Sequence, residues 1–371
     1  MRVTASMVRQ RILYNMGSAL EMLQIKQTQL ASGKRLMQPS DDPVAIAKSL
    51  NVRALLRDNE QFMRNIDDAF GWMSSSEAAI QDMVSVITDL KEVAIAGAND
   101  TMGIDERITL AEQVESLIER LINVANSRYG DRYVFAGTHT LTSPYSAVYS
   151  VPSETFTFAD DNWLDLGHSA IESGSVVVSD GMGLVYTEGV DYDIDYTTGR
   201  IRRIPTGTMG IGLNYTVSYD SQNTTEVVLN VPDTTGLVNR EIAQGVYEAI
   251  NIGGEYILNS GTDVFAVLID IRDMLFRNDG AGVGAMLDDV ESALDQISSS
   301  LGKTGAVTKT FTLAEARLQT ENTNLQAMIS KMEDADIAEL AVSLQTKQAT
   351  YEAALASAAQ IMNTTLLNFI T

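Results

Sequence analysis

Several stretches of this sequence carry residue types that could do chemistry. The first is LASGKRLMQPSDDPVAIAKSL at 30–50, where Gly33, Lys34 and Arg35 precede the paired acids Asp41 and Asp42. A phosphate-cradling loop needs a second glycine and a Lys-Ser/Thr pair after a strand, whereas SGKR has one glycine and follows a helical pattern. Adjacent carboxylates at a helix entry point in different directions, and neither Asp41 nor Asp42 has a sequence neighbour expected to shift its pKa. A helix corner accounts for every residue type present. Gly33 suits the left-handed residue that closes a helix, Lys34 and Arg35 sit where C-terminal carbonyls attract cations, and Pro39 blocks continuation. Ser40, Asp41 or Asp42 can cap the next helix, with Pro43 in its first turn.

The other candidates are weaker. GAGVGA at 280–285 has the spacing of a dinucleotide loop, but the charged IDIRDMLFRND precedes it where an apolar strand is required, so it reads as a flexible link. DYDIDYTTGR at 191–200 has alternating acids like a calcium loop, with Tyr196 at the glycine position and Arg202 at the bidentate glutamate position. Alternation places Asp191, Asp193 and Asp195 on one strand face, where a solvated surface is expected and weak calcium binding is the rival. His139 and His168 fall in no metal or nucleophile motif and read as surface or turn residues. No catalytic, cofactor or metal site is assembled, so the expectation is a non-enzyme without a cofactor.

Composition narrows the class. With 49 acidic against 26 basic residues, a phosphate backbone is repelled, which excludes nucleic acid as an expected partner. The absence of cysteine removes disulfides, thiolate nucleophiles and cysteine-ligated metals. The start carries arginines without a following apolar core, unlike a cleaved signal peptide, and no apolar run approaches the roughly 18–20 residues of a spanning helix. Membrane insertion is therefore not expected.

The elements that must position any site differ between the middle and the ends. Four of the six prolines and ten of the thirteen tyrosines lie between 131 and 260, where Val/Tyr/Thr-rich runs alternate with Gly turns and predict short antiparallel strands. Elsewhere apolar residues step by three and four. From Ile66 the stripe runs through Ala69, Met73, Ser76, Ile80, Met83, Ile87, Leu90 and Ala94, and a second through Leu110, Val114, Leu117, Leu121 and Val124. Near the other end Leu287, Val290, Leu294, Ile297 and Leu301 continue to Phe311, Leu318, Leu325, Ile329 and Met332. A continuous helix over 43–96 would be about 80 Å long at 1.5 Å per residue and must lie against other helices.

The predicted fold is mainly α with an inserted all-β domain: an elongated antiparallel coiled-coil bundle of the N- and C-terminal segments, carrying a β-sandwich-like insert at its distal end. The expected divisions are 1–39 (assembly helix and corner), 40–138 (rod helices), 139–260 (β insert), 261–332 (rod helices) and 333–371 (C-terminal assembly helix). The terminal stripes, Leu13, Met16, Leu20, Leu23 and Leu30 with Gln27 between, and Leu340, Leu344, Tyr351, Leu355, Met362, Leu366 and Phe369, are the candidate assembly interface. Single amphipathic helices of this kind are marginal in water, so they are expected to order when subunits join.

The segments MRVTASMVRQRILYNM, LASGKRLMQPSDDPVAIAKSL, RNIDDAFGWMSSSEAAI, ANSRYGDRYVFAGT at 125–138 and YEAALASAAQIMNTTLLNFIT resemble the flagellar hook-associated protein 3 family of flagellin-type axial proteins. Flagellin is similar at both ends, but RYGDRYVFAGT and the closing TLLNFIT favour the junction family. The resemblance implies export as an unfolded chain through the flagellar type III apparatus, after holding by a cytoplasmic export chaperone that masks the C-terminal helix. It further implies self-association in a ring outside the cell at the hook-filament junction, between hook-associated protein 1 and flagellin. A filament subunit, or a flagellar surface protein whose β insert is an adhesin or glycan-binding module, is the alternative.

Overall fold

A 55-residue helix dominates the order of elements. The computed structural model describes the backbone of residues 5–370 and the side chains of residue 7 and of residues 10–359. Helix α1 (Ala5–Ser32) is followed by α2 (Pro43–Gly97) and α3 (Ile104–Ala125). Strands follow as β1 (Arg128–Tyr129), β2 (Arg132–Tyr133), β3 (Tyr145–Val148), β4 (Ser150–Thr157), β5 (Leu164–Asp165), β6 (Val177–Ser179) and β7 (Val185–Tyr186). They continue with β8 (Tyr192–Asp195), β9 (Arg200–Arg203), β10 (Asn214–Asp220), β11 (Glu226–Leu229), β12 (Asn239–Ala243) and β13 (Val246–Ala249). The chain returns to helix in α4 (Gly254–Leu258), α5 (Val264–Phe276), α6 (Gly280–Ala285), α7 (Leu287–Glu333) and α8 (Ile337–Ile370). It divides into a unit of residues 1–63 with 316–371 and a unit of residues 64–315.

In the larger unit, α2 buries the stripe read from its sequence: Ile66, Ala69, Met73, Ser76, Ile80, Met83, Ile87, Leu90 and Ala94 are all buried. The partner is α7, antiparallel to it, with Phe70 edge-on to Phe311 at 6.3 Å and Lys91 paired with Glu291 at 2.6 Å. Helix α3 departs from the sequence reading by one position on its face. It buries Ala111, Val114, Ile118, Leu121 and Ala125, while Leu110, Leu117 and Val124 are half-buried. The small Ala111 and Ala125 let α3 lie close against α5, an apolar helix whose Val264, Leu268, Ile271 and Leu275 are fully buried. The GAGVGA segment is a short helix rather than a loose link, with Asp279 accepting a hydrogen bond from Gly282 N at 2.9 Å.

The β insert has two main antiparallel sheets, ordered β4-β10-β6-β7 and β5-β9-β8, with smaller pairs β3-β11, β12-β13 and β1-β2. Strand β10 shows the period of two that one buried face requires: Tyr215, Val217 and Tyr219 are buried between more exposed neighbours. Register sets Tyr215 opposite Phe156, and Val217 opposite Val178. One core joins both sheets, with Phe156, Phe158, Val178 and Tyr215 meeting Leu166, Ile194 and Ile201. Its rings pack edge-on and tilted, Phe156 to Phe158 at 5.2 Å and Tyr186 to Tyr215 at 5.3 Å.

A buried charge cluster fastens this insert to the helices. The guanidinium of Arg272 on α5 is fully buried and reaches Glu115 on α3 at 2.6 Å, the Thr224 carbonyl at 2.6 Å and Asp273 at 2.8 Å. Asp273 lies 3.0 Å from His168 Nδ1 and accepts from the Ser169 hydroxyl, so the second histidine, read from sequence as a surface residue, is a joint residue. Burial alone would raise the Asp273 pKa. The His168 hydrogen bond, the Arg272 charge and the Ser169 hydroxyl overcome this and hold it below the ordinary carboxylate value. The acids of 191–195 are likewise committed: Asp191 accepts from Thr208 N at 2.7 Å, Asp193 pairs with Arg202 at 2.6 Å and Asp195 accepts from Thr197 N at 3.1 Å. Replacing Arg272 with Leu removes the cation shared by the buried Asp273 and the partly buried Glu115 and is expected to destabilise the larger unit by about 3–5 kcal/mol. Urea unfolding followed by tryptophan fluorescence checks this, and an unchanged midpoint would contradict it.

Candidate functional site

The corner at 33–43 is half of a clasp whose other half is the turn between α7 and α8. Gly33 takes φ +67 and ends α1, as a residue without a Cβ does most easily. Its carbonyl accepts from Ala335 N at 2.9 Å, and Arg35 N donates to the Glu333 carbonyl at 2.6 Å, so the two turns join as a short antiparallel bridge. Lys34 does not cap its own helix: its ammonium lies 2.7 Å from the Glu333 carboxylate. Nor does Arg35, whose Nη2 donates at 3.0 Å to the Met332 carbonyl at the end of α7.

The cap residues separate into distinct roles. Asp42 Oδ1 accepts from Ala45 N at 3.0 Å and is the N-cap of α2, with Pro43 as the first helical residue. Asp41 instead closes the preceding turn, accepting from Gln38 N at 2.8 Å and Met37 N at 2.9 Å. Those two donors hold its carboxyl below the ordinary value, so it does have neighbours that shift its pKa. Ser40 caps nothing; its hydroxyl sits 3.5 Å from the Gln38 side-chain oxygen.

Glu333, which the sequence reading passed over, is the hub. Its carboxylate is nearly enclosed and receives Arg53 Nε at 2.8 Å and Nη2 at 2.5 Å, the Lys34 ammonium and the Ser49 hydroxyl. The Arg53 hydrogen bonds outweigh the opposing effect of burial and, with Lys34 and Ser49, hold the Glu333 pKa at about 2. Asp336 begins α8 in the same manner as Asp42 begins α2, its Oδ1 accepting from Ala338 N at 2.9 Å and Glu339 N at 3.2 Å. The signal for it was present, because DADIAEL has an acid three residues before Glu339 at the start of an apolar period. Glu333 had no such signal: its cationic partners stand 280 and 299 residues away.

The terminal stripes meet in an antiparallel α1/α8 pair, with Lys347 Nζ 3.6 Å from Met22 Sδ. Leu340 is buried, and Met16, Leu23, Leu30, Leu344 and Tyr351 are half-buried. Leu13 is 62% exposed, Leu20 39% and Leu355 41%, alongside Tyr14 at 77% and Val342 at 66%. Met362, Leu366 and Phe369 lie outside the residues with described side chains. The pair therefore uses part of each stripe and leaves a substantial apolar remainder facing water.

Because the folded Glu333 pKa lies below its unfolded value of 4.5, its contribution is fully present above about pH 4.5 and is lost as pH falls through about 2. Glu333→Gln should cost about 1.5–3 kcal/mol at pH 7. Denaturation curves should show the gap between wild type and variant closing between pH 4.5 and pH 2. A gap that stays constant over that range would count against the hub.

Residues 3–140 match the bacterial flagellin N-terminal helical region and residues 287–370 the C-terminal helical region. A flagellar hook-associated protein 3 of Escherichia coli is 32% identical over 119 residues, which is 32% of this chain and 38% of that one. The corresponding Salmonella typhimurium protein is 30% identical over 32% of this chain and 37% of its own, so this chain spans less than two fifths of the length of these relatives. Flagellin A of Vibrio cholerae is 22% identical over 91% of both chains. In fold, a solved flagellar hook-associated protein from Vibrio parahaemolyticus aligns over 79% of this chain and 100% of its own, with a TM-score of 0.52 and 14% identity. With flagellin helical regions matched before and after the β insert, the chain belongs to the flagellin-like family, and over about a third of its length it is similar to hook-associated protein 3.

Proposed function

We propose that the chain is a structural protein of the bacterial flagellum that joins hook to filament, self-associating through α1 and α8 and contacting hook-associated protein 1 on one side and flagellin on the other. The observation that carries this reading is the apolar surface left outside the α1/α8 pair, including Leu13, Tyr14, Leu20, Val342 and Leu355. Exposed apolar patches of this kind mark association surfaces, and helices too weak alone gain stability by burying them against other copies. The clasp at Gly33 and Glu333 gives the pair a fixed departure point from α2 and α7. Two partners of different sequence suit a ring whose two faces differ. The same exposed stripe supports export with a cytoplasmic chaperone over α8, since it would otherwise aggregate before leaving the cell.

The near-full-length similarity to a flagellin supports a second reading, that of a filament subunit. Removal of the gene separates the two. A junction protein leaves hooks without filaments and flagellin shed into the medium, whereas normal filaments in that strain would overturn the junction reading. At the residue level, Leu20→Asp with Leu355→Asp alters only exposed positions, so monomer stability should change by no more than about 0.5 kcal/mol per site. Assembly in sedimentation and electron microscopy should nevertheless be lost. Retained assembly would show that the terminal helices are not the polymerising surface.

A further inference from the structure

The larger unit has two apolar features that the junction reading does not use. One is a groove of ≈ 470 Å³ whose wall includes Leu237, Ile252, Tyr256, Lys303, Ala306 and Val307. That volume lies within the roughly 300–1,000 Å³ of pockets that enclose a ligand. The groove is firmly built: a Cβ on Gly253 would come within 2.0 Å of the Thr234 carbonyl oxygen, and the Asn251 amide is tied to Val238 N at 2.7 Å and Gly236 O at 2.8 Å. Leu237 is 59% exposed. Lys303 is the only charged residue of the wall, and its ammonium rests 4.0 Å from the centre of the Tyr256 ring.

The other feature is the tip between β6 and β7. Asp180 Oδ1 accepts from Met182 N at 2.8 Å and Leu184 N at 3.0 Å, and Gly181 and Gly183 take φ +75 and +107. These bonds fix the turn while holding Met182 at 95% exposure, beside Leu184 at 55% and Val185 at 60%. A prearranged turn forfeits little conformational freedom on docking, and methionine adapts to irregular apolar walls. Asp180 is the only charge in the tip from 180 to 185.

We propose that the two features meet between copies of this chain: the Asp180–Val185 tip of one seats in the groove of the next, with Met182 and Leu184 against Leu237, Tyr256 and Val307. Charge identifies the occupant. Copies that each carry a net charge of −23 repel one another, so a contact between them needs a cation against an anion, and Lys303 and Asp180 supply one each. The contact joins two different surfaces and so repeats around a ring or along a helix rather than closing a dimer. It rests on the self-association proposed above and adds to it a second interface, in the unit that lacks the terminal helices.

The absence of cysteine makes the test clean. Chains carrying Met182→Cys are assembled with chains carrying Val307→Cys and treated with a short bifunctional thiol reagent. A covalent dimer is expected on denaturing gels. It should be absent when Leu141→Cys, also strongly exposed, replaces Met182→Cys. Lys303→Glu in the groove chain should abolish the dimer, and Lys303→Arg should keep it, with the Asp180 turn untouched in both. Assemblies that form normally by electron microscopy but give no dimer above the Leu141→Cys control overturn this contact and leave the terminal-helix interface standing. A wild-type chain that never assembles overturns both.

Discussion

The structure depends on one constraint: α2 carries an apolar stripe on one side only, over a length no local contact can cover. From Ile66 to Ala94 every third or fourth residue is buried, and the opposite side is largely polar, with Asp67, Asp68, Asp82, Asp89 and Glu92 exposed. Isolated helices owe little to propensity, so this one is held by what lies along its stripe. Helix α7 returns antiparallel from the other side of the β insert in sequence, with Lys91 at Glu291 and Phe70 at Phe311.

How much of this was legible follows from the range of each interaction. The α2 stripe, the Gly33 corner and the Val/Tyr/Thr-rich strand runs are local patterns, and they read directly from residue types. The face of α3 was misplaced by one position because leucine outranks alanine in a hydrophobic count. What decides there is close approach to α5, which favours Ala111 and Ala125. Strand pairing was also hidden, since β4 pairs with β10 and β3 with β11 across intervening strands. Glu333, Arg53 and Ser49 were missed for the same reason: each is an ordinary polar residue of a helix until the fold brings the two turns together. The joint of the adjacent Arg272 and Asp273 with Glu115 and His168 is the β-insert counterpart, its last two groups standing 157 and 105 residues from their partners on α5.

The two polar clusters have different physical characters. Arg272 is fully enclosed, so water cannot take the place of its cation beside Asp273 and Glu115, and it fixes geometry at a high cost if broken. Around Glu333 the carboxylate is enclosed but Arg53 and Lys34 remain almost half exposed, at 45% and 43%. Water can replace those cations one at a time. The clasp therefore orients α1 and α8 while permitting their turn to open.

A further asymmetry lies within α7. Between Ile297 and Phe311 its buried positions are Ser300 and Thr304, whose hydroxyls donate to the carbonyls of Gln296 and Ser300 at 3.0 Å each. Thr308 and Thr312 repeat the pattern along the same helix. Each hydroxyl satisfies itself within its own helix, so Ser300 and Thr304 are buried without demanding a partner on α2. Such bonds tend to bend a helix slightly, and Gly302 and Gly305 in the same stretch each forgo about 1 kcal/mol of helix propensity relative to alanine. The weakest part of the helix by propensity is thus also the part with the least apolar grip on α2. Compliance is concentrated there, beside the groove at Lys303, Ala306 and Val307, while the Ile297 and Phe311 contacts on either side keep the register.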